Sequence, residues 1–173
     1  MGTVLTNWRR WMVEALAIIA IVIVVQLWQA RGLPAGPAPS LAGRTPDGQL
    51  MSLADAVAGS AGKPVLVAFW ATWCGVCKAE HGNLEAIAND QPLFAVATNS
   101  GSDAEIQRYL VERGHHLPTI NDPDGQLAAV WHVSGLPTHF IVDGSGNVRF
   151  RVVGYATEWG LRARLWWASR FPA

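Results

Sequence analysis

One stretch constrains this chain more than any other. Val65-Leu66-Val67-Ala68-Phe69-Trp70 is an unbroken apolar run, and Cys74-Gly75-Val76-Cys77 follows it four residues later. A run this short and this apolar suits a strand buried on both faces, which requires layers on both sides of a sheet. Cys74 to Ala88 then predicts a helix. A spacing of three puts both sulfurs on its first turn, within bonding reach. The strand therefore delivers two thiols to the carboxyl edge of a sheet, where open α/β folds carry their chemistry.

The remaining segments extend this frame. Pro46-Asp47-Gly48 is a turn signal that opens the domain with a short hairpin, and Leu53 to Val57 has room for one or two helical turns. Gly62-Lys63-Pro64 punctuates before the apolar run. Leu93 to Thr98 predicts a second buried strand. Asp103 to Arg113 predicts a helix capped by Ser102 or Asp103 and stopped by Gly114. A short helix over Gln126 to Trp131 follows the turn Asp122-Pro123-Asp124-Gly125. Thr138 to Val142 and Val148 to Val153 predict strands joined by a glycine-rich loop, and Thr157 to Ser169 predicts a closing helix. The fold class is α/β, a mixed sheet with flanking helices.

The N-terminal segment is of another kind. From Ala15 to Val25 no side chain is polar, and Trp11 to Trp28 counts 18 residues. That length just crosses a hydrocarbon core of about 30 Å at about 1.5 Å per residue. Trp8, Trp11 and Trp28 sit where interfacial aromatics sit, and Arg9 and Arg10 outweigh Arg31. The positive-inside bias puts the N-terminus in the cytoplasm. The expected organisation is a cytoplasmic N-terminus (1–10), a transmembrane anchor (11–29), a Pro/Gly-rich linker (30–40) and one domain (41–173). The alternative is a cleaved signal peptide with Gly36 and Ala38 as its small-residue pair. Pro39 would then follow the cut, which is awkward for a peptidase.

Composition narrows the function. Half of the 173 residues are hydrophobic and 15% are charged, which suits a packed core. Formal net charge is zero with no Lys/Arg block, so a nucleic-acid partner is not expected. Only two cysteines exist, too few and too close for a disulfide-stapled framework. Thiol–disulfide exchange needs an attacking thiolate and a second thiol that resolves the mixed disulfide. At a helix N-terminus, unpaired N–H groups and the helix dipole stabilise the thiolate. Cys74 is accordingly the nucleophile and Cys77 the resolving thiol. Two alternatives stay open, a zinc half-site and inert core cysteines. Zinc would need two further ligands from histidines that are adjacent or isolated.

Val67 to Cys77, with Val133-Ser134-Gly135-Leu136-Pro137-Thr138, resembles the active-site strand, motif and cis-proline loop of the thioredoxin superfamily. The similarity is to its membrane-tethered TlpA/ResA-like branch and covers Leu41 to Ala168. With the anchor included, the chain also resembles the thioredoxin-like membrane proteins of suppressor-of-copper-sensitivity systems. The resemblance implies a cis bond at Pro137 facing the sulfurs, and a Leu136 backbone that pairs with substrate. It implies a Trp73 that shields Cys74 and docks partners. It gives Glu80 a part in proton transfer or in tuning the cysteines, against the alternative of a solvated helix glutamate. Thr119 to Trp131 fits the family's insertion. It further implies a bacterial inner-membrane, single-pass protein whose periplasmic domain reduces protein disulfides, supplied by a DsbD-like donor, with no cofactor. Gly75-Val76 replaces the Gly-Pro of thioredoxin, Gly82 stands where many members have proline, and Ala68 lies near thioredoxin's buried aspartate.

Other residues divide less cleanly. His81 shares a face with Cys77, and exposure is expected of it. His139 borders either core or site. Trp70 is expected in the core. Trp159, Trp166 and Trp167, with Arg162, Arg164 and Arg170, suggest an amphipathic helix packed on the sheet or lying at a membrane interface. Two competing functions are a peroxiredoxin-type peroxide reductase and a copper- or zinc-binding module. The first expects Thr-x-x-Cys, where this chain has Ala71.

Overall fold

The computed structural model describes residues 2–171; the side chains of residues 2–7 and of Leu27 lie outside the description. The chain divides into two compact units, Met1–Arg31 and Gly32–Ala173. The first is helix α1 (Gly2–Gln29). Its described side chains from Trp8 to Val25 are all exposed, and Arg10 Nε donates to Glu14 Oε1 at 2.9 Å one turn away. Among the described residues no helix is long and apolar enough to cross a membrane. The stretch Trp11 to Trp28, on which a span was expected, passes through Leu27, whose side chain is not described.

The second unit contains β1 (Gly36–Pro37), β2 (Ala42–Arg44), β3 (Leu50–Ser52), α2 (Leu53–Gly59), β4 (Val65–Trp70), α3 (Gly75–Ala88) and β5 (Leu93–Thr98). It continues through α4 (Asp103–Glu112), β6 (Thr119–Asp122), α5 (Gln126–Val130), β7 (Thr138–Val142), β8 (Asn147–Val153) and α6 (Glu158–Arg170). A six-stranded sheet runs β1-β8-β7-β4-β5-β6, and β2 and β3 form a separate hairpin. β4, β5 and β6 are parallel, whereas β7 and β8 join antiparallel. The mixed sheet and its helices are the thioredoxin-like arrangement that the sequence implied.

β4 lies in the middle, with every residue buried. Its alternate side chains serve two cores. Leu66, Ala68 and Trp70 join Leu84 and Ile87 of α3, Ile106 and Leu110 of α4, and Leu161, Leu165 and Ala168 of α6. Phe69 meets Trp131 and Phe140 at ring-centroid separations of 5.7 and 5.9 Å, and those two rings meet each other at 4.8 Å. Ser102 caps α4 in a full capping box with Glu105.

The structure refines the expectations in three places. The segment 30–40 is not wholly a free linker. Gly36 and Pro37 pair with Val148 and Asn147 of β8, Ala38 N–H donates to Gly146 O at 2.9 Å, and Arg151 donates to Leu33 O at 3.0 Å. Proline is tolerated there because β1 is an edge strand, and it covers the exposed edge of β8. β6 was not anticipated, since Thr-Ile-Asn-Asp has no strand pattern. Its Asp122 is buried and replaces a cap for α5: its carboxylate accepts from Leu127 N–H at 3.0 Å and Ala128 N–H at 3.1 Å. Finally, α6 does pack on the sheet, but through Leu161, Leu165 and Ala168, spaced along one helical face. Trp159, Trp166 and Trp167 are exposed.

Trp131 is fully buried between two rings. Replacement by alanine should lower unfolding stability by about 3–5 kcal/mol. Urea denaturation checks this, and a loss below about 1 kcal/mol would contradict the packing described.

Candidate active site

After Trp70 the chain leaves the sheet, and two bonds aim the turn. The Thr72 N–H donates to Ser100 Oγ at 3.1 Å, and Trp73 Nε1 donates to Asn99 O at 2.9 Å. Both partners follow β5, so the turn is pinned to the ends of two parallel strands. Cys74 is the N-cap of α3, with extended backbone, and its Sγ accepts the Cys77 N–H at 3.1 Å. A sulfur thus takes the role that a Ser or Asp oxygen has at other helix starts.

Cys74 and Cys77 are joined in a disulfide with their Cα atoms 5.3 Å apart. Cys74 retains 7% exposure and Cys77 only 1%, so of the two cysteines the first is the nearer to solvent. Beside it Trp73 and Val76 are exposed, whereas Ala71 is buried.

The Leu136–Pro137 peptide is cis. Thr138 pairs with Phe69 in the β4–β7 ladder, which sets the Pro137 loop beside the exit of β4. The loop is held by Thr138 Oγ1 donating to Gly135 O at 2.8 Å and by Gly154 N–H donating to Pro137 O at 2.8 Å. Leu136 packs against the core cluster that contains both cysteines.

Glu80 is not a solvated helix residue. It is fully buried, its Oε1 accepts the Ala156 N–H at 3.2 Å, and His139 Nε2 lies 3.0 Å from the same oxygen. Asn83, almost one turn on, donates to Ala156 O at 3.0 Å. α3 therefore grips both polar groups of one peptide residue ahead of α6. His139, which bordered core or site in the sequence, is buried beside Glu80. The sequence singles out both residues but not their pairing. The one available signal was that His139 stands in an otherwise apolar strand.

His81 also departs from expectation. It is fully buried, with ring-centroid separations of 4.6 Å to Trp70, 5.8 Å to Tyr109 and 4.7 Å to His115. It follows Cys77 by one helical turn and shares the inward face with Cys77, Glu80, Leu84 and Ile87. Neither ring nitrogen has a protein partner. Burial, followed by the neighbouring His115, pushes its pKa down to about 4, so it packs as a neutral aromatic ring. His115 Nδ1 approaches Glu85 Oε1 at 3.1 Å, and the His116 N–H donates to that oxygen at 2.9 Å. Among the described residues no group of three or more His, Cys, Asp or Glu is placed to hold a metal ion.

Comparison with known proteins agrees with this geometry. A family model described as the AhpC/TSA family matches residues 34–151. The chain is 34% identical over 110 residues to a thioredoxin-like protein of Haemophilus influenzae, covering 63% of this chain and 65% of that protein. It is 35% identical over 98 residues to the thiol:disulfide interchange protein HelX of Rhodobacter capsulatus, 56% of either chain. It thus spans less than two thirds of either relative's own length. A solved thiol:disulfide interchange protein of the thioredoxin family from Chlorobium tepidum superposes with a TM-score of 0.65 at 26% identity, covering 79% of this chain and 97% of that one.

The His81 environment has a pH consequence. The unfolded chain takes a proton near pH 6.5, but the folded ring resists it down to about 4. Between those values the unfolded state binds more protons, so stability falls as pH falls. The full effect is about 3 kcal/mol. His81→Phe should lack this increment and gain on the parent by that amount between pH 7 and 4. Urea denaturation at several pH values measures it; a pH-independent difference between the two proteins would refute the assignment.

Proposed function

This chain belongs to the AhpC/TSA family, and from there we propose that it is a thioredoxin-like protein-disulfide oxidoreductase working through Cys74 and Cys77. The observation that carries this is the Cys74 sulfur, seated on the first turn of α3 and bonded to Cys77.

In the reduced protein the Cys74 thiolate attacks one sulfur of a substrate disulfide. A mixed disulfide forms and the other substrate sulfur leaves as a thiolate, which takes a proton. Cys77 then loses its proton and attacks Cys74 Sγ. The enzyme disulfide forms and the second substrate thiol is released. The backbone N–H groups of α3 stabilise the attacking thiolate, as the Cys77 N–H does for the sulfur in the oxidised state. Burial of Cys77 reserves it for the second step. Trp73 gives a partner an apolar contact beside Cys74. The Leu136–Pro137 loop presents backbone to an extended substrate segment, and Glu80 serves the resolving thiol from one turn away.

The direction is reducing, and the electrons come from a DsbD-like membrane donor. We place the domain in the periplasm of a bacterium, tethered to the inner membrane by α1 with its N-terminus in the cytoplasm. Support comes from the all-round exposure of Leu16, Ile18, Ile19, Ile21 and Val22 on that helix, a surface that lipid would cover, and from Arg9 and Arg10 preceding it. Clients are proteins with accessible disulfides.

Catalysed insulin reduction should fall to the uncatalysed rate in Cys74→Ser, and Cys77→Ser should accumulate a mixed disulfide visible on non-reducing gels. Retained turnover in Cys74→Ser would rule out the nucleophile. The peroxide-reductase alternative expects a hydroxyl at the third residue before the reactive cysteine, and buried Ala71 offers none. Peroxide consumption by the wild type should accordingly match that of Cys74→Ser; a clear excess would favour the alternative.

A further inference from the structure

Glu80 and His139 form a buried polar pair that packing does not explain. Neither reaches solvent. His139 Nε2 lies 3.0 Å from Glu80 Oε1, close but without the alignment of a hydrogen bond. Glu80 Oε2 and His139 Nδ1 are buried and have no protein partner. A buried carboxylate with an idle oxygen is unfavourable unless something uses it. Glu80 follows Cys77 by three residues on the inward face of α3. His139 sits opposite Ala68 in the β4–β7 ladder, two residues past Pro137. The pair therefore lies about one helical turn beyond Cys77 on α3 and two residues beyond the Pro137 loop on β7.

We infer that His139 is a positioning residue for the release step, holding Glu80 as the acceptor of the Cys77 proton. This rests on the disulfide-exchange reading above. Before release, Cys77 carries its thiol and Glu80 its carboxylate, with the His139 ring against that carboxylate. The thiol proton passes to Glu80 Oε2, leaving a thiolate. The proton moves within the site, so no net charge is created in a dry interior. The Cys77 thiolate attacks Cys74 Sγ, the Cys74–Cys77 bond forms, and the bond to substrate sulfur breaks with its electron pair leaving on that sulfur. The departing thiolate takes a proton from water, and Glu80 returns one to water.

The surroundings leave this role to the pair. β4 contributes Ala68 and β8 contributes Val152, both apolar. The segment before α6 contributes the Ala156 backbone and the exposed Tyr155, whose hydroxyl accepts from Asn83. On α3, Cys74 and Cys77 are the reacting groups, and His81 faces Trp70, Tyr109 and His115 instead.

The test is rapid-quench kinetics of the full-length chain with a disulfide-containing peptide from pH 5 to 8, separating mixed-disulfide formation from its release. In His139→Gln, formation should stay within about twofold of wild type, while release slows about tenfold or more and loses the wild-type pH profile. Glu80→Gln should show the same defect, and the double variant should be no slower than the slower single. Release with unchanged rate and pH profile in His139→Gln overturns the inference. Should that variant not fold, the imidazole resonances of His139 in the wild type decide: a titration that differs between reduced and oxidised protein is expected, and an identical one refutes it. A wild type that reduces no disulfide overturns the functional reading itself; an active wild type with an unaltered His139→Gln overturns only this inference.

Discussion

The hydrogen bond from the Cys77 N–H to the Cys74 sulfur, 3.1 Å long, is the contact on which the site depends. It exists because a strand buried on both faces ends one short turn before a helix begins, and the turn is held to the loop after β5 by Thr72 and Trp73. Unpaired N–H groups at a helix start attract negative charge. A sulfur placed there is both a cap and a candidate thiolate. The two roles are one interaction seen in two redox states, which ties helix formation to reactivity.

The rest of the unit gives that contact a fixed background. The ladder between β4 and β7 sets the Pro137 loop at the same edge as Cys74, and Glu80 and Asn83 grip Ala156 so that α3 and the start of α6 are joined. Arg162 strengthens the same junction from the other end, donating to Asp90, Glu158 and the Ala86 carbonyl. Beneath the sulfurs the inward face of α3 is unusual in carrying a glutamate and a histidine where apolar residues would be usual. Each is accommodated differently. His81 becomes a neutral ring in an aromatic nest, and Glu80 finds a backbone N–H and a second histidine.

Where reading from sequence succeeded, a strong local pattern was present. β4 is an unbroken apolar run and β5 is apolar up to its last residue, Thr98, and the apolar pattern delimits both to the residue. Ser102 and Gly114 bracket α4 by cap chemistry that needs no tertiary information. The failures have the opposite character. β6 is four residues with three polar side chains, a strand only because β5 offers it a free edge. β1 hid in a Pro/Gly stretch for the same reason, with β8 as its template. His81 was expected at the surface, and Glu80 was so in one of its two readings, because polarity is the usual guide to exposure; it misleads where packing or a specific partner removes the penalty of burial.

From residue types and spacings alone came the α/β class, the position of the helix that bears the sulfurs and the expectation that Cys74 attacks and Cys77 resolves. These follow from short-range rules, because hydrophobic period, caps and the three-residue cysteine spacing act within a few turns of chain. Which polar residues turn inward, and that His139 meets Glu80 across 58 intervening residues, had to await the assembled sheet. The β4–β7 ladder sets His139 in the sheet and α3 brings Glu80 against it, and no local pattern encodes a contact that only the packing of a helix on a sheet makes.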